Sequence, residues 1–123
     1  IMIIGKKIPF VSQNLNMKKA LDILSEKKLG VLVVRNEQKK TKGIITDGQL
    51  RRFNQKNLSL HSKKVMDIMT KNPVGVDKDM LAAKALEIMS SKKITSLCVY
   101  NKKDKLKTIG IIHVHNILQS NIS

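Results

Sequence analysis

The amino-acid sequence predicts an α+β fold built from two copies of one β-α-β-β-α unit, packed with pseudo-two-fold symmetry. The main observation is an internal repeat, since a shift of 65 residues places residues 14–34 on residues 79–99 with many identities. A shift of 67 residues then places GIITDGQL, at 43–50, on GIIHVHNI, at 110–117. The second observation is the pattern of apolar residues, which runs in the same order through both copies.

A helix is predicted early in each copy, after a short extended segment that begins at Pro9 or Pro73. Apolar residues recur there at helical spacing and form one stripe, which is typical of a helix that packs on a sheet. Asn14 or Asn16 in the first copy and Asp79 in the second are the predicted N-terminal caps. The stripe residues are Met17, Ala20, Leu21 and Leu24, matched by Ala82, Ala85, Leu86 and Met89.

Two strands and a second helix follow in each copy. The first strand is the apolar run at 31–34 or 96–100, and the second lies around the GII sequences. A polar, lysine-rich turn joins the two strands. The last helix of each copy is predicted to begin near Asp47 or His115.

The units are predicted at residues 1–58 and 65–123, with a polar linker at 59–64. A unit of about 60 residues buries only part of its apolar surface alone. We therefore expect the two units to pack sheet against sheet and to share a core.

Composition limits the kinds of partner. The 123 residues carry a formal net charge of +15, which favours phosphorylated ligands, nucleic acid or anionic lipid. Nucleic acid is not expected, because the lysines are scattered and three residues, Phe10, Phe53 and Tyr100, are too few to stack bases. No membrane span and no signal peptide are expected, since no apolar stretch approaches about 20 residues. The sequence predicts a cytoplasmic protein.

Metal binding and catalysis are not expected of this chain. His113 and His115 have a spacing that suits two ligands on one strand face, but His61 lies in the predicted linker and Cys98 in an apolar run. Cys98, the single cysteine, is instead predicted to be buried and unreactive. Asp47 is the only acidic residue in the two strand-to-helix motifs, so no general acid–base pair is indicated.

The sequences GIITDGQLRR and VMDIMTKNPVGV, followed by ALEIMSSKKITSL and GIIHVHNIL, resemble a tandem of CBS domains, the so-called Bateman module. The resemblance covers the whole chain. It implies the two-unit α+β fold described above. It also implies a ligand site in the cleft between the units, where the last strand of each unit meets the following helix.

A narrower resemblance concerns TDGQLRR, MTKNP, LAAKALEIM, KITSL and HVHN, which are similar to the C-terminal CBS pair of D-arabinose-5-phosphate isomerases. Those enzymes belong to the Kdo pathway of lipopolysaccharide and capsule synthesis. Their aldose–ketose isomerisation is performed by an N-terminal sugar-isomerase (SIS) domain, which is absent from this sequence. CBS pairs fused to sugar-nucleotide transferases also contain TDGxLRR, so a regulatory pair of a sugar nucleotidyltransferase is the alternative.

The resemblance places Thr46 and His113 directly after the last strand of their units, where a hydroxyl commonly meets phosphate. Gln49 and Asn116 stand where many nucleotide-binding CBS units have an aspartate for the ribose hydroxyls. An amide must divide its faces between accepting and donating, so it replaces that carboxylate incompletely. His115 either joins the ligand site or caps the last helix.

Arginines and hydroxyls complete the predicted site. Arg51 and Arg52 follow the first motif, where they either bind an anion or form a solvated helix face. Thr95 and Ser96 supply hydroxyls near the histidines, with local turn bonding as the alternative. The predicted ligand-binding set is Thr46, Asp47, Gln49, Arg51, Arg52, Thr95, Ser96, His113, His115 and Asn116.

Two functions follow from these patterns. The first is a regulatory pair that senses an anionic nucleotide or sugar nucleotide, with CMP-Kdo, CMP and adenine nucleotides as candidates and no other cofactor. The second is an assembly module, a homodimer of CBS pairs that helps the isomerase to form tetramers. In that case the apolar stripe at 65–69 and the last helix at 116–122 face the partner.

Overall fold

The computed structural model describes residues 2–4, 8–27, 30–55, 60 and 62–114, and the chain divides into two compact units. We call Pro9–Asn72 the N-unit, and Ile1–Ile8 together with Pro73–Ser123 the C-unit. In chain order the elements are β1 (Met2–Ile4), β2 (Phe10–Ser12), α1 (Met17–Lys27), β3 (Val31–Arg35), β4 (Thr41–Thr46), α2 (Asp47–Gln55), α3 (Val65–Ile68), β5 (Thr70–Lys71), β6 (Gly75–Asp77), α4 (Ala82–Lys92), β7 (Ser96–Asn101) and β8 (Asp104–His113).

Among the described residues, each unit contains one four-stranded mixed sheet, in the order β2-β3-β4-β5 in the N-unit and β1-β8-β7-β6 in the C-unit. The pairs β2–β3 and β6–β7 are parallel, whereas β3–β4 and β7–β8 are antiparallel. The predicted order β-α-β-β-α is confirmed in the N-unit by β2, α1, β3, β4 and α2. The C-unit repeats it through β6, α4, β7 and β8, and the last helix predicted near His115 lies outside the described residues.

The register of the strands follows the sequence repeat. Val31 lies opposite Thr46 in the N-unit, and Ser96 lies opposite His113 in the C-unit. The shifts of 65 and 67 residues carry the first pair onto the second. The repeat therefore fixes the pairing of individual residues as well as the order of the elements.

Two apolar cores confirm the predicted helical stripes. Met17, Ala20 and Leu24 of α1 are buried against Leu32 and other strand residues of the N-unit. In the C-unit the corresponding residues of α4, Ala85 and Met89, are buried against Leu97, Val99 and Ile112. None of the described helices is long and apolar enough to cross a membrane.

The compact units differ at their edges from the predicted sequence units. Strand β5 pairs with β4, and Val65 and Ile68 of α3 are buried in the N-unit core, so residues 65–71 pack with the preceding copy. Strand β1 likewise pairs with β8 of the C-unit. The predicted second unit begins at residue 65, whereas the compact C-unit resumes at Pro73.

This packing also corrects the expectation that the stripe at 65–69 faces a partner chain. Val65 has no exposed surface and Ile68 is 6% exposed, because both side chains fill the core of the N-unit. The stripe is apolar because it packs inside its own unit. The other predicted partner-facing segment, 116–122, lies outside the described residues.

The predicted helix caps have different outcomes. Asn16 caps α1, since its Oδ1 accepts a hydrogen bond from the Lys19 amide at 2.9 Å. The prediction for Asp79 is wrong, because α4 begins at Ala82 and Leu81 occupies its N-cap. The repeat shift of 65 residues aligns Leu81 with Asn16, and leucine has no side-chain acceptor.

Gly43 allows β5 to lie against β4. A Cβ at this position would approach the Met69 Sδ and the Thr70 carbonyl oxygen, each to 2.7 Å. The Met69 side chain can move away. The Thr70 carbonyl cannot move without its strand, because it belongs to β5, whose Lys71 is paired with Gly43. A side chain here therefore disturbs the edge of the sheet.

We predict that Gly43→Ala lowers the free energy of unfolding by about 1–3 kcal/mol, because the new methyl group forces β5 away from β4. The matched control is Gly48→Ala in α2, where a Cβ would lie 3.8 Å from the Arg52 Nη1. Alanine in a helix should raise stability there by about 0.5–1 kcal/mol. Urea unfolding of the two variants and the parent measures both changes in the free energy of unfolding. A Gly43→Ala protein as stable as the parent would contradict the close packing of β5 against β4 at Gly43.

Candidate functional site

Thr46 ends β4 and begins the turn into α2. Its Oγ1 accepts a hydrogen bond from the Gln49 amide at 3.3 Å, so the hydroxyl caps the first turn of the helix. Threonine suits this junction because its β-branched side chain fits a strand and its oxygen fits a helix cap. The residue is half-buried in the N-unit.

Gln49 lies one turn into α2 and is buried, with 9% of its surface exposed. Its Nε2 donates a hydrogen bond to the Ile68 carbonyl, and its Oε1 accepts one from the Thr70 hydroxyl at 3.5 Å. Both faces of the amide are therefore engaged inside the N-unit. The side chain ties α2 to the segment formed by α3 and β5.

Asp47 and Arg51 stand on a different face of α2, where they line a groove against α1. The groove has a volume of about 440 Å³ and combines an apolar floor with both signs of charge. Arg52 is exposed. The residues that line the groove are Leu21, Leu24, Ser25, Asp47, Leu50 and Arg51.

In the C-unit the corresponding junction lies where β7 begins and β8 ends. Ser96 is paired with His113 across the two strands, and the Thr95 carbonyl accepts a hydrogen bond from the Val114 amide at 2.8 Å. Thr95 is exposed and His113 is half-buried. The structure therefore brings together three of the predicted ligand residues.

Ser96 and His113 lie on the face of the sheet opposite to α4. Leu97, Val99 and Ile112 point toward α4 and form the C-unit core. Since side chains alternate along a strand and paired residues share one face, Ser96 and His113 belong to the other face.

The Ser96 hydroxyl is buried without a hydrogen-bond partner among the described residues. The residue is 4% exposed, and a buried unsatisfied polar group costs about 1–3 kcal/mol. Such groups are rare in folded proteins and call for a physical explanation. Ser96 is thus the predicted site residue with an unused hydrogen-bonding capacity.

Two further predicted residues, His115 and Asn116, lie outside the described residues. Within the part of the chain that the structure describes, no group of three or more His, Cys, Asp or Glu side chains could hold a metal ion.

Cys98 is buried, as predicted. Burial raises the pKa of its thiol from 9.0 to about 11, although a hydrogen bond with the Thr108 side chain lowers it. Because the thiolate is the reactive form, Cys98 is a poor nucleophile at neutral pH.

Comparison with known proteins now identifies the family. The family model described as "CBS domain" matches the chain twice, at residues 2–56 and 65–122. The chain belongs to the CBS domain family.

Curated CBS relatives extend beyond the region that this chain matches. The chain is 35% identical over 122 residues to arabinose 5-phosphate isomerase KdsD of Yersinia pestis, which covers 99% of the chain and 36% of that protein. It is 36% identical over 125 residues to an uncharacterised protein of Rickettsia prowazekii, covering 100% of the chain and 37% of that protein. KdsD of Escherichia coli K12 is 32% identical over 122 residues, with 99% and 36% covered. The chain therefore spans little more than a third of these relatives.

Solved CBS structures have the same fold. CBSX2 in complex with AMP superimposes with a TM-score of 0.83 at 24% identity, covering 98% of this chain and 92% of that one. A CBS domain pair in complex with 5′-methylthioadenosine and S-adenosyl-L-methionine gives a TM-score of 0.82 at 23% identity, covering 97% and 91%. These likenesses confirm the predicted CBS-pair fold.

Sequence reasoning did not find the internal partners of Gln49. The Ile68 carbonyl and the Thr70 hydroxyl lie 19 and 21 residues away along the chain, and no local pattern links them to α2. It also did not join Leu21 and Ser25 of α1 to Asp47 and Arg51 in one groove. The helical stripe marks Leu21 as apolar, but the facing helix is a matter of tertiary packing.

Proposed function

We propose that this chain is the regulatory, ligand-binding part of a D-arabinose-5-phosphate isomerase. Identities of 32–35% to KdsD proteins over about a third of their length support this parent. The isomerisation itself would be performed by a separate SIS domain of the longer protein. The role of the CBS pair is then to report the level of a small molecule to that domain. A cytoplasmic location follows from this role, since both sugar phosphates and nucleotides are cytoplasmic metabolites.

The proposed ligand is an anionic nucleotide or sugar nucleotide of the Kdo, lipopolysaccharide or capsule pathway. The observation that carries this proposal is the buried Ser96 hydroxyl, which has no partner among the described residues and lies beside His113. A hydroxyl can donate to a phosphoryl or sugar oxygen, and Thr95 offers a second hydroxyl next to it. The net charge of +15 attracts an anion to the surface of the chain.

Adenosine ligands are supported by the CBS structures that were solved with AMP or S-adenosyl-L-methionine. CMP-Kdo is the candidate that fits the proposed parent, because it is the activated product of the same pathway. A regulatory ligand must bind two states of the protein with different affinities. His115 and Asn116, which follow His113 in the sequence, belong to the proposed site as well.

We predict that the chain binds at least one of CMP-Kdo, CMP, AMP and ATP in isothermal titration calorimetry at up to millimolar concentration. Phosphate contacts should make the affinity fall as the salt concentration rises, because screening weakens charge interactions. Cytidine and adenosine, which lack only the phosphate, are the matched controls and should give no heat. No measurable heat with any of the four ligands would contradict a sensor function.

An assembly function is the second candidate, and the groove between α1 and α2 favours it. A dimer with two-fold symmetry needs a self-complementary surface. The lining of the groove is self-complementary in charge, since Asp47 and Arg51 both lie beside an apolar floor that includes Leu24 and Leu50. The partner would be a second copy of this chain, with the Arg51 of each copy facing the Asp47 of the other.

We predict a dimer of the chain in size-exclusion chromatography with light scattering. Ser25→Trp should convert it to a monomer, because Ser25 lines the groove and the indole would fill it. Glu26→Trp is the matched control, since Glu26 is exposed on the same helix and does not line the groove. A parent chain that stays monomeric at high concentration, or a Ser25→Trp variant that stays dimeric, would contradict this assembly.

A further inference from the structure

We propose that the two copies of the repeat are unequal, so that one anionic ligand binds per chain, at the C-unit junction. The Ser96 hydroxyl would be the donor that couples binding to a rearrangement of that junction. This inference rests on the proposed ligand-binding function and adds its stoichiometry, its location and the chemical group that is recognised.

The strand register shows which residues correspond. Val31 and Thr46 face each other in the N-unit, and Ser96 and His113 occupy the same two places in the C-unit. The four residues can therefore be compared directly. The N-unit has the apolar side chain of Val31 at the place where the C-unit has the hydroxyl of Ser96.

The polar groups of the N-unit junction are engaged by the N-unit itself. Val31 is buried, with 1% of its surface exposed, and offers no hydrogen bond. Thr46 accepts the hydrogen bond that caps α2, and the amide of Gln49 is bonded at both ends to Ile68 and Thr70. Thr46 can still donate its own proton, but a ligand that used Gln49 would have to break the bonds that hold α2 to α3 and β5.

The C-unit junction differs because the Ser96 hydroxyl has no partner among the described residues. A serine hydroxyl can donate one hydrogen bond and can also accept, so its partner can be either an acceptor or a donor, and the positive charge of the chain favours an anionic acceptor. Phosphoryl and carboxylate oxygens are strong acceptors that also suit the basic surface of this chain. The recognised group is therefore an anionic oxygen of the ligand.

The Ser96 Oγ is also covered, since it has essentially no solvent exposure. A ligand can reach it only if a neighbouring side chain moves aside. That movement would let the ligand pair with a hydroxyl that has no partner among the described residues. Because the ligand reaches the hydroxyl only when the neighbouring side chain has moved, it binds the open and covered arrangements with different affinities, as regulation requires.

Calorimetric titration of the 123-residue chain with AMP and CMP tests the inference. We expect binding with a stoichiometry of one, and an affinity about tenfold weaker in Ser96→Ala, since one buried hydrogen bond to a charged group is lost. Ser91→Ala, the same change at an exposed position of α4, should bind like the parent. Inorganic phosphate and acetate, added as competitors, distinguish a phosphoryl from a carboxylate acceptor.

Urea unfolding of the ligand-free variants separates ligand binding from a structural role of Ser96. Because Ser96→Ala removes a buried hydroxyl that has no partner among the described residues, the variant without ligand should be at least as stable as the parent. A less stable variant, a stoichiometry of two, or unchanged affinity in Ser96→Ala would overturn the inference and leave the proposed function intact. A parent chain that binds neither AMP nor CMP would overturn this inference. If the parent also binds neither CMP-Kdo nor ATP, the proposed sensor function is wrong as well.

Discussion

The antiparallel pairing of β3 with β4, repeated by β7 with β8, is the constraint on which the candidate site depends. Paired residues share one face of a sheet, so the register decides which side chain stands beside the last residue of each hairpin. A slip of one residue would turn Ser96 toward α4 and put Leu97 beside His113. The apolar core under α4 opposes such a slip, because the slip would remove Leu97 from that core and put the Ser96 hydroxyl in its place.

Most of the local structure could be predicted because it depends on neighbouring residues. The stripe that includes Met17 and Leu24 predicts α1, and the repeat transfers that prediction to α4. The closeness of Ser96 and His113 follows from two strands joined by a short turn. The docking of α3 and β5 onto the N-unit could not be predicted, since it depends on Gly43 and Gln49 contacting residues far along the chain.

The difference between the two copies is the feature of greatest functional interest. A duplicated fold provides two equivalent junctions, but the side chains at those junctions have separate uses. In the N-unit, Thr46 and Gln49 hold α2 against its neighbours. In the C-unit, Ser96 keeps a hydroxyl that the described residues do not satisfy. One copy thus contributes rigidity, and we infer that the other contributes recognition.

A crystal structure of this chain grown with CMP or AMP would show directly which junction binds the ligand. We expect one nucleotide per chain, with a phosphate oxygen within hydrogen-bond distance of the Ser96 Oγ and no nucleotide beside Thr46. A nucleotide bound beside Thr46 and Gln49, with the Ser96 hydroxyl still covered and unpaired, would contradict it.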